Sequence, residues 1–298
     1  MTKKAFVAIV TCFNEDETIN HEATRAQVRR QVAVGNNIMC AGTNGDFTAL
    51  THSEKIELLE QVVDEVDGKV DVIVNAGMPA TFETLQLAKE FDRIGVTGIA
   101  VITPFFIACT QDGLIRHFST VADAVKTPVF LYDIPARTQN HIEPETARKL
   151  ATHGNIAGIK DSGGAQDTLE AYLQVSKDVE GFEVYSGPDH LVLWSLQNGA
   201  AGCISGLGNA MPEVLAGIID GFNKGDIAEA ERQQAIYTAF RTDLYAHGFP
   251  PAMVKRALYL QDASVGASRQ PALLPVTEQD NKIVEILKKY DLLPENGE

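Results

Sequence analysis

The sequence predicts an α/β fold, a TIM-type (β/α)8 barrel with a C-terminal helical extension. Three observations predict it: eight short β-branched runs recur along the chain, helical patterns alternate with them, and after Gly206 the strand signal stops. The runs are Ala5–Val10, Ile38–Ala41, Val70–Asn75, Gly98–Ile102, Val129–Tyr132, Ile156–Lys160, Glu183–Ser186 and Gly202–Ile204. Eight β/α steps in roughly 200 to 250 residues is the count of a closed parallel barrel. Between the second and third runs, Thr51-His52-Ser53-Glu54 has the form of a capping box, and Ile56, Leu58, Leu59, Val62, Val63 and Val66 follow on one helical face. Thr81 through Phe91 reads as an amphipathic helix that Gly95 ends. Pro212–Phe222, Ile227–Leu244, Ala252–Gln261 and Gln279–Tyr290 then read as helices with no strand between them. The expected organisation is a barrel over 1–225 and a three-helix extension over 226–298. An open doubly wound sheet is disfavoured, because no G-x-G-x-x-G follows the first run.

Composition narrows the class of function. The 298 residues carry 25 Lys+Arg and 40 Asp+Glu, so the formal charge is 25 − 40 = −15. Nucleic acid and anionic membrane surfaces are thereby excluded as generic partners, and small molecules are expected. Hydrophobic residues at 45% and charged residues at 22% suit a globular chain with a large core. The longest apolar candidate, Gly95–Cys109, is too short for a membrane span and is broken by Gly98 and Pro104. Asn14-Glu15-Asp16-Glu17 follows the first apolar run directly, so no secretory signal is expected and the cytoplasm is the expected compartment. Cys12, Cys40, Cys109 and Cys203 form no C-x-x-C pair and read as reduced, mostly buried thiols.

In such a barrel the chemistry sits at the C-terminal ends of the strands. Those ends are Thr11, Thr43-Asn44, Asn75, Thr103-Pro104, Tyr132, Lys160, Ser186-Gly187 and Ser205-Gly206. Lys160 ends the run Ile156-Ala157-Gly158-Ile159, where alternation aims it into the barrel mouth. A partly desolvated amine there is available to attack a ketone and form a Schiff base. The same position also suits a lysine paired with a carboxylate such as Asp46, and position alone does not choose. Tyr132 ends the neighbouring strand, where its phenol can relay protons or simply pack as a buried tyrosine. Arg137, in the loop Asp133-Ile134-Pro135-Ala136-Arg137-Thr138, offers a guanidinium fork for a carboxylate or phosphate, or is an ordinary surface arginine. Ala41-Gly42-Thr43-Asn44-Gly45-Asp46 places hydroxyl, amide and backbone N–H groups where a carboxylate could bind, or merely turns the chain. The seven histidines, 21, 52, 117, 141, 153, 190 and 247, show no metal-ligand spacing, and no G-x-S-x-G elbow is present. A metal-dependent aldolase and a serine hydrolase are therefore disfavoured.

Taken together, Gly42-Thr43-Asn44-Gly45-Asp46 with Leu50-Thr51, Thr103-Pro104-Phe105-Phe106, Tyr132-Asp133-Ile134-Pro135, Gly158-Ile159-Lys160-Asp161 and Ser186-Gly187-Pro188-Asp189 resemble the successive motifs of the dihydrodipicolinate synthase/N-acetylneuraminate lyase family. The resemblance runs in order from Ala8 to about Pro251. It implies a barrel with a helical tail, a homotetramer, and a Schiff base between lysine and pyruvate or another 2-oxo acid, with no added cofactor. By that resemblance Lys160 is the Schiff-base lysine, and Tyr132 moves protons in a hydroxyl relay with Thr43. Asn44 and the backbone of Ile204 contact the carboxylate end. Gly187, Asp189, His190 and Gly206 line the place of the second substrate. Arg137 matches an arginine that synthases use for an acidic acceptor, so an acidic aldehyde is implied.

The chain also departs from the synthase pattern. Phe105-Phe106 stands where synthases carry a second tyrosine that reaches from a neighbouring subunit, and Phe106 has no hydroxyl to complete that relay. Asn44 and Asp46 replace a hydroxyl residue and a glutamate. Lys160-Asp161-Ser162-Gly163-Gly164 resembles 4-hydroxy-2-oxoglutarate aldolases. The expected function is a Schiff-base aldolase or dehydratase of a 2-oxo-3-deoxy acid. The alternatives are dihydrodipicolinate synthase acting on pyruvate and aspartate semialdehyde, and a retired barrel that senses a 2-oxo acid.

Overall fold

The computed structural model describes residues 2–272 and 277–293. Eight parallel strands close into a barrel in sequence order: β1 (Lys4–Ala8), β2 (Asn37–Cys40), β3 (Val72–Asn75), β4 (Gly98–Ile102), β5 (Val129–Asp133), β6 (Ile156–Asp161), β7 (Glu183–Ser186) and β8 (Gly202–Ser205). β8 returns to β1 with Lys4 opposite Gly202 and Phe6 opposite Ile204. Outside them lie α1 (His21–Ala33), α2 (His52–Val66), α3 (Thr81–Ile94), α4 (Gln111–Ala124), α5 (Pro144–Ala151), α6 (Gln166–Asp178), α7 (Val192–Gln197) and α8 (Pro212–Lys224). The tail adds α9 (Ile227–Tyr245), α10 (Pro250–Gln261) and α11 (Thr277–Lys289). Local chemistry explains several boundaries. The Thr51/Glu54 capping box opens α2, and Gly95, at φ +89°, closes α3 in the left-handed region that glycine tolerates.

Two strands are shorter than the apolar runs that encode them, for a common reason. Beyond Ala8, the Val10 N–H donates to Asn209 Oδ1 (3.1 Å) instead of to a neighbouring strand. Before Val72, the Asp71 N–H donates to Asn37 Oδ1 (2.9 Å), and the Val72 N–H itself donates to Thr97 Oγ1 (2.7 Å). Buried backbone groups are still satisfied, but by side chains. β5 and β6 are each one residue longer than expected, because Asp133 pairs with Asp161 across the ladder.

The apolar interior joins barrel and tail. One buried cluster fills the barrel and the space beneath most of its helices. A second combines Val7, Val10 and Cys203 of the barrel with Tyr237, Phe240, Leu258 and Leu287 of the tail. All four cysteines are free thiols; Cys12, Cys40 and Cys203 are buried. Among the described residues no helix is long and apolar enough to cross a membrane.

Candidate active site

Adjacent strands bring the two central candidates side by side. Lys160 of β6 lies directly opposite Tyr132 of β5 in the ladder. Its ammonium sits 4.1 Å from the centroid of the Tyr132 ring, and its side chain is only 5% exposed. The nearest polar partner is the soft sulfur of Met39, 3.9 Å away. Among the described residues Lys160 makes no ion pair. Asp46, the carboxylate expected as its alternative partner, is taken by Lys255, whose ammonium lies 2.8 Å from Asp46 Oδ2 and also donates to the Thr11 carbonyl (2.6 Å). That disposes of the Lys160–Asp46 pair. A buried amine in no ion pair is an unstable arrangement unless a ligand or a reaction uses it.

The remaining wall is built from strand-end turns. The loop after β2 passes through non-glycine residues at positive φ, Ala41 (51°) and Asp46 (54°), with one tight turn at Thr43–Gly45 between them. It delivers the Thr43 hydroxyl to the Tyr132 phenol, 3.1 Å away. It also presses the Asn44 amide against Gly206, where any Cβ would collide with it. On the other side Gly187 packs on Ser162 and donates its N–H to the Asp161 carbonyl (2.7 Å); a Cβ there would likewise collide. These two glycines set how closely the loops approach.

A cavity of about 200 Å³ results, lined by Lys160, Tyr132, Thr43, Asn44, Arg137, Gly187, Asp189, Ile204 and Gly206. Arg137 is exposed at the rim, its guanidinium stacked 4.6 Å over the Phe249 ring, with no carboxylate partner among the described residues. Asp189 is buried at the base. Tyr237 donates to Ser205 Oγ (2.6 Å), and Ser205 donates to Asp189 Oδ1 (2.5 Å), since a hydroxyl has one proton to give. Burial pushes the Asp189 carboxyl up to about 6, against the opposing pull of the Ser205 hydroxyl and Arg241.

Two expected residues stand elsewhere. His190 does not line the cavity: it lies in the short turn Asp189–Leu191 that leads into α7, and its Nδ1 is buried without a partner. Phe106 is 85% exposed at φ +77° in the loop after Pro104, so this chain's Phe106 is outside this chain's cavity. Conversely, the sequence reading missed Arg241, Tyr245, Pro250 and Pro251, which the tail contributes to the lining. It also missed a polar layer behind the site. There Asp133, fully buried, accepts from Tyr172 Oη (3.0 Å) and the Ile142 N–H (3.1 Å), and lies 2.8 Å from His141 Nδ1. Asp161 accepts from the Gly163 N–H (2.7 Å) and Thr168 Oγ1 (3.0 Å). Burial raises Asp161 to about 6, while hydrogen bonding to Asp133 raises His141 above the usual imidazole value.

Comparison with known proteins places this geometry. Residues 1–290 match the dihydrodipicolinate synthetase family. The chain belongs to that family. A 4-hydroxy-tetrahydrodipicolinate synthase of Methanopyrus kandleri is 35% identical over 297 residues, covering 97% of each chain. One from Geobacter metallireducens is 33% identical, covering 98% of this chain and all of its own. Among solved structures, dihydrodipicolinate synthase of Thermotoga maritima superposes with a TM-score of 0.92 at 28% identity, covering 98% of this chain and all of that one. YagE, an E. coli prophage protein of the dihydrodipicolinic acid synthase family solved with pyruvate, gives 0.92 at 26% identity, over 98% and 99% of the two chains. With the family comes its reaction class, a lyase that works through a lysine Schiff base.

Proposed function

We propose that the protein cleaves, condenses or dehydrates a 2-oxo-3-deoxy acid through an imine on Lys160. The observation that carries this is the buried Lys160 amine, in no ion pair among the described residues and seated over the Tyr132 ring in a cavity large enough for a small keto acid. The amine adds to the C2 carbonyl, water leaves, and a protonated imine remains as electron sink. In cleavage, the C4 hydroxyl loses its proton and the C3–C4 bond breaks. The electron pair moves into the imine as an enamine, and an aldehyde departs. Protonation at C3 and hydrolysis then release pyruvate and free Lys160. In dehydration, C3 loses a proton and the C4 hydroxyl leaves as water. Tyr132, hydrogen-bonded to Thr43, moves the protons, while Asn44 and the Ile204 backbone hold the C1 carboxylate. Arg137 receives an acidic acceptor. The pyruvate bound by YagE supports pyruvate as the common substrate or product.

A second reading, 4-hydroxy-tetrahydrodipicolinate synthase, is favoured by the names of the Methanopyrus and Geobacter relatives. The phenyl ring of Phe106 weighs against it, since it offers no hydroxyl wherever a second subunit places it. A homotetramer in the cytoplasm completes the proposal. The test is sodium borohydride with pyruvate, followed by peptide mass analysis. A reduced adduct on the Lys160 peptide is expected. Tight, reversible pyruvate binding without an adduct would instead make the protein a sensor.

A further inference from the structure

The tail helix α9 presents one face to the end of β7, and that face carries chemistry the family resemblance does not supply. Gln234 clamps the helix there: its amide donates to the Asp189 carbonyl (3.1 Å) and its Oε1 accepts from the Leu193 N–H (2.9 Å). About two and three helical turns further on, at spacings of seven and eleven residues, Arg241 and Tyr245 fall on the same face and reach the cavity. Tyr245 is engaged, with its hydroxyl 3.4 Å from Asp189 Oδ2. Arg241 is half-buried and, among the described residues, has neither a hydrogen bond nor an ion pair; its guanidinium lies 5.2 Å from the Tyr245 ring and its charge acts at longer range on the buried Asp189 carboxyl, which leaves its N–H fork without a bonded acceptor.

Most arginines of this molecule are ion-paired. In a chain of net charge −15, Arg25, Arg148, Arg232, Arg256 and Arg269 all bind carboxylates. The two arginines lining the cavity, Arg137 and Arg241, hydrogen-bond to none among the described residues, and they come from separate segments, the β5 loop and the tail. A guanidinium fork matches a carboxylate bidentately and is costly to desolvate without one.

We propose that Arg241 is a specificity-determining residue that, together with Arg137, binds a carboxylate at the far end of the substrate, making the preferred ligand a 2-oxo diacid rather than a 2-oxo acid with a neutral tail. The proposal rests on the Lys160 imine reading, which fixes the other end of the ligand.

The test compares matched keto acids in borohydride trapping at Lys160: 2-oxoglutarate against 2-oxopentanoate, and 2-oxoadipate against 2-oxohexanoate. Each protein is scored by its own ratio of half-saturating concentrations, so a loss shared by both ligands cancels. The wild type is expected to prefer at least one diacid by about tenfold or more, the scale of a charge-assisted hydrogen bond. Arg241→Met should bring that ratio to within about threefold, and Arg241→Lys, which keeps the charge without the fork, should fall between. A wild type without preference, or an Arg241→Met variant that keeps it, overturns the proposal. So does inorganic phosphate that competes with the diacid far better than acetate does, since the site would then be a phosphate site. If the wild type traps no keto acid at all, it is the imine reading that has failed. The same ratios are then read from calorimetric dissociation constants, where a preference lost in Arg241→Met supports the diacid site and an unchanged or absent preference overturns it.

Discussion

β5 and β6 carry polar residues on both of their faces, and the two faces are finished in opposite ways. Toward the barrel axis, Tyr132 and Lys160 are held by one hydroxyl contact, a ring face and a sulfur, with no ion pair among the described residues. One residue further along each strand, Asp133 and Asp161 point the other way, into the helix layer, where backbone N–H groups, Tyr172, His141 and Thr168 satisfy them. Alternation along a strand is what allows this. Both faces are buried, so burial does not separate function from structure here. Saturation does: the inner face leaves donors for a ligand, and the outer face leaves almost none.

The contrast breaks most sharply at Lys160. Lys160→Met keeps the length of the side chain and removes the amine. Imine trapping and turnover should vanish, while the midpoint of thermal unfolding stays level or rises, because replacing a buried, unpaired ammonium with an apolar group is neutral or stabilising. A large fall in melting temperature would show that the inner face is structural after all. Tyr172→Phe makes the opposite test on the outer face. It removes the one hydroxyl proton that the Ile142 carbonyl (2.5 Å) and Asp133 Oδ2 (3.0 Å) share. A loss of about 1–3 kcal/mol in denaturant unfolding is expected, with trapping of pyruvate retained by the folded fraction. Loss of trapping at unchanged stability would move Tyr172 into the chemistry.

The same distinction explains what the amino-acid order did and did not disclose. The barrel was legible because β-branched runs and helical periods alternate, and its strand ends pointed to Lys160, Tyr132 and Thr43. Strand limits differ from the apolar runs where Asn209, Asn37 and Thr97 take over ladder hydrogen bonds from afar. Arg241 and Tyr245 were missed because they lie on a tail helix with no strand end to mark them; only the fold of α9 onto the β7 turn brings them in. His190 and Phe106 were carried by motif position, which fixes a place on the backbone and not the direction of a side chain. Asp133 and Asp161 read as the first loop residues after their strands, and nothing local reveals that Tyr172 and His141 converge on one of them.

Asp161 offers an effect that fades to little at pH 4, and the most direct measure of what saturation costs. Its carboxyl is fully buried and raised to about 6 from 3.8, chiefly by burial, with Asp133 adding to the rise and the Gly163 and Thr168 hydrogen bonds opposing it. Between those two values the folded protein binds the proton that the unfolded chain has released. Stability therefore falls as pH rises through this window, by up to about 3 kcal/mol at ~1.36 kcal/mol per unit. Asn at 161 cannot titrate, yet it suits the site: its Oδ1 can accept from Gly163 and its amide can donate to Thr168 Oγ1, which then turns its one proton from residue 161 to the Ala165 carbonyl. Other groups slope the opposite way at lower pH, Glu54 among them, held down at about 2 by Arg269. The quantity to measure is accordingly the difference between wild type and Asp161→Asn in urea unfolding from pH 4 to pH 7.5. That difference should be smallest at pH 4 and grow in favour of the variant to a plateau near pH 7. A flat difference would mean that Asp161 releases its proton in the folded state as readily as in the unfolded chain, and that its two hydrogen bonds fully offset its burial.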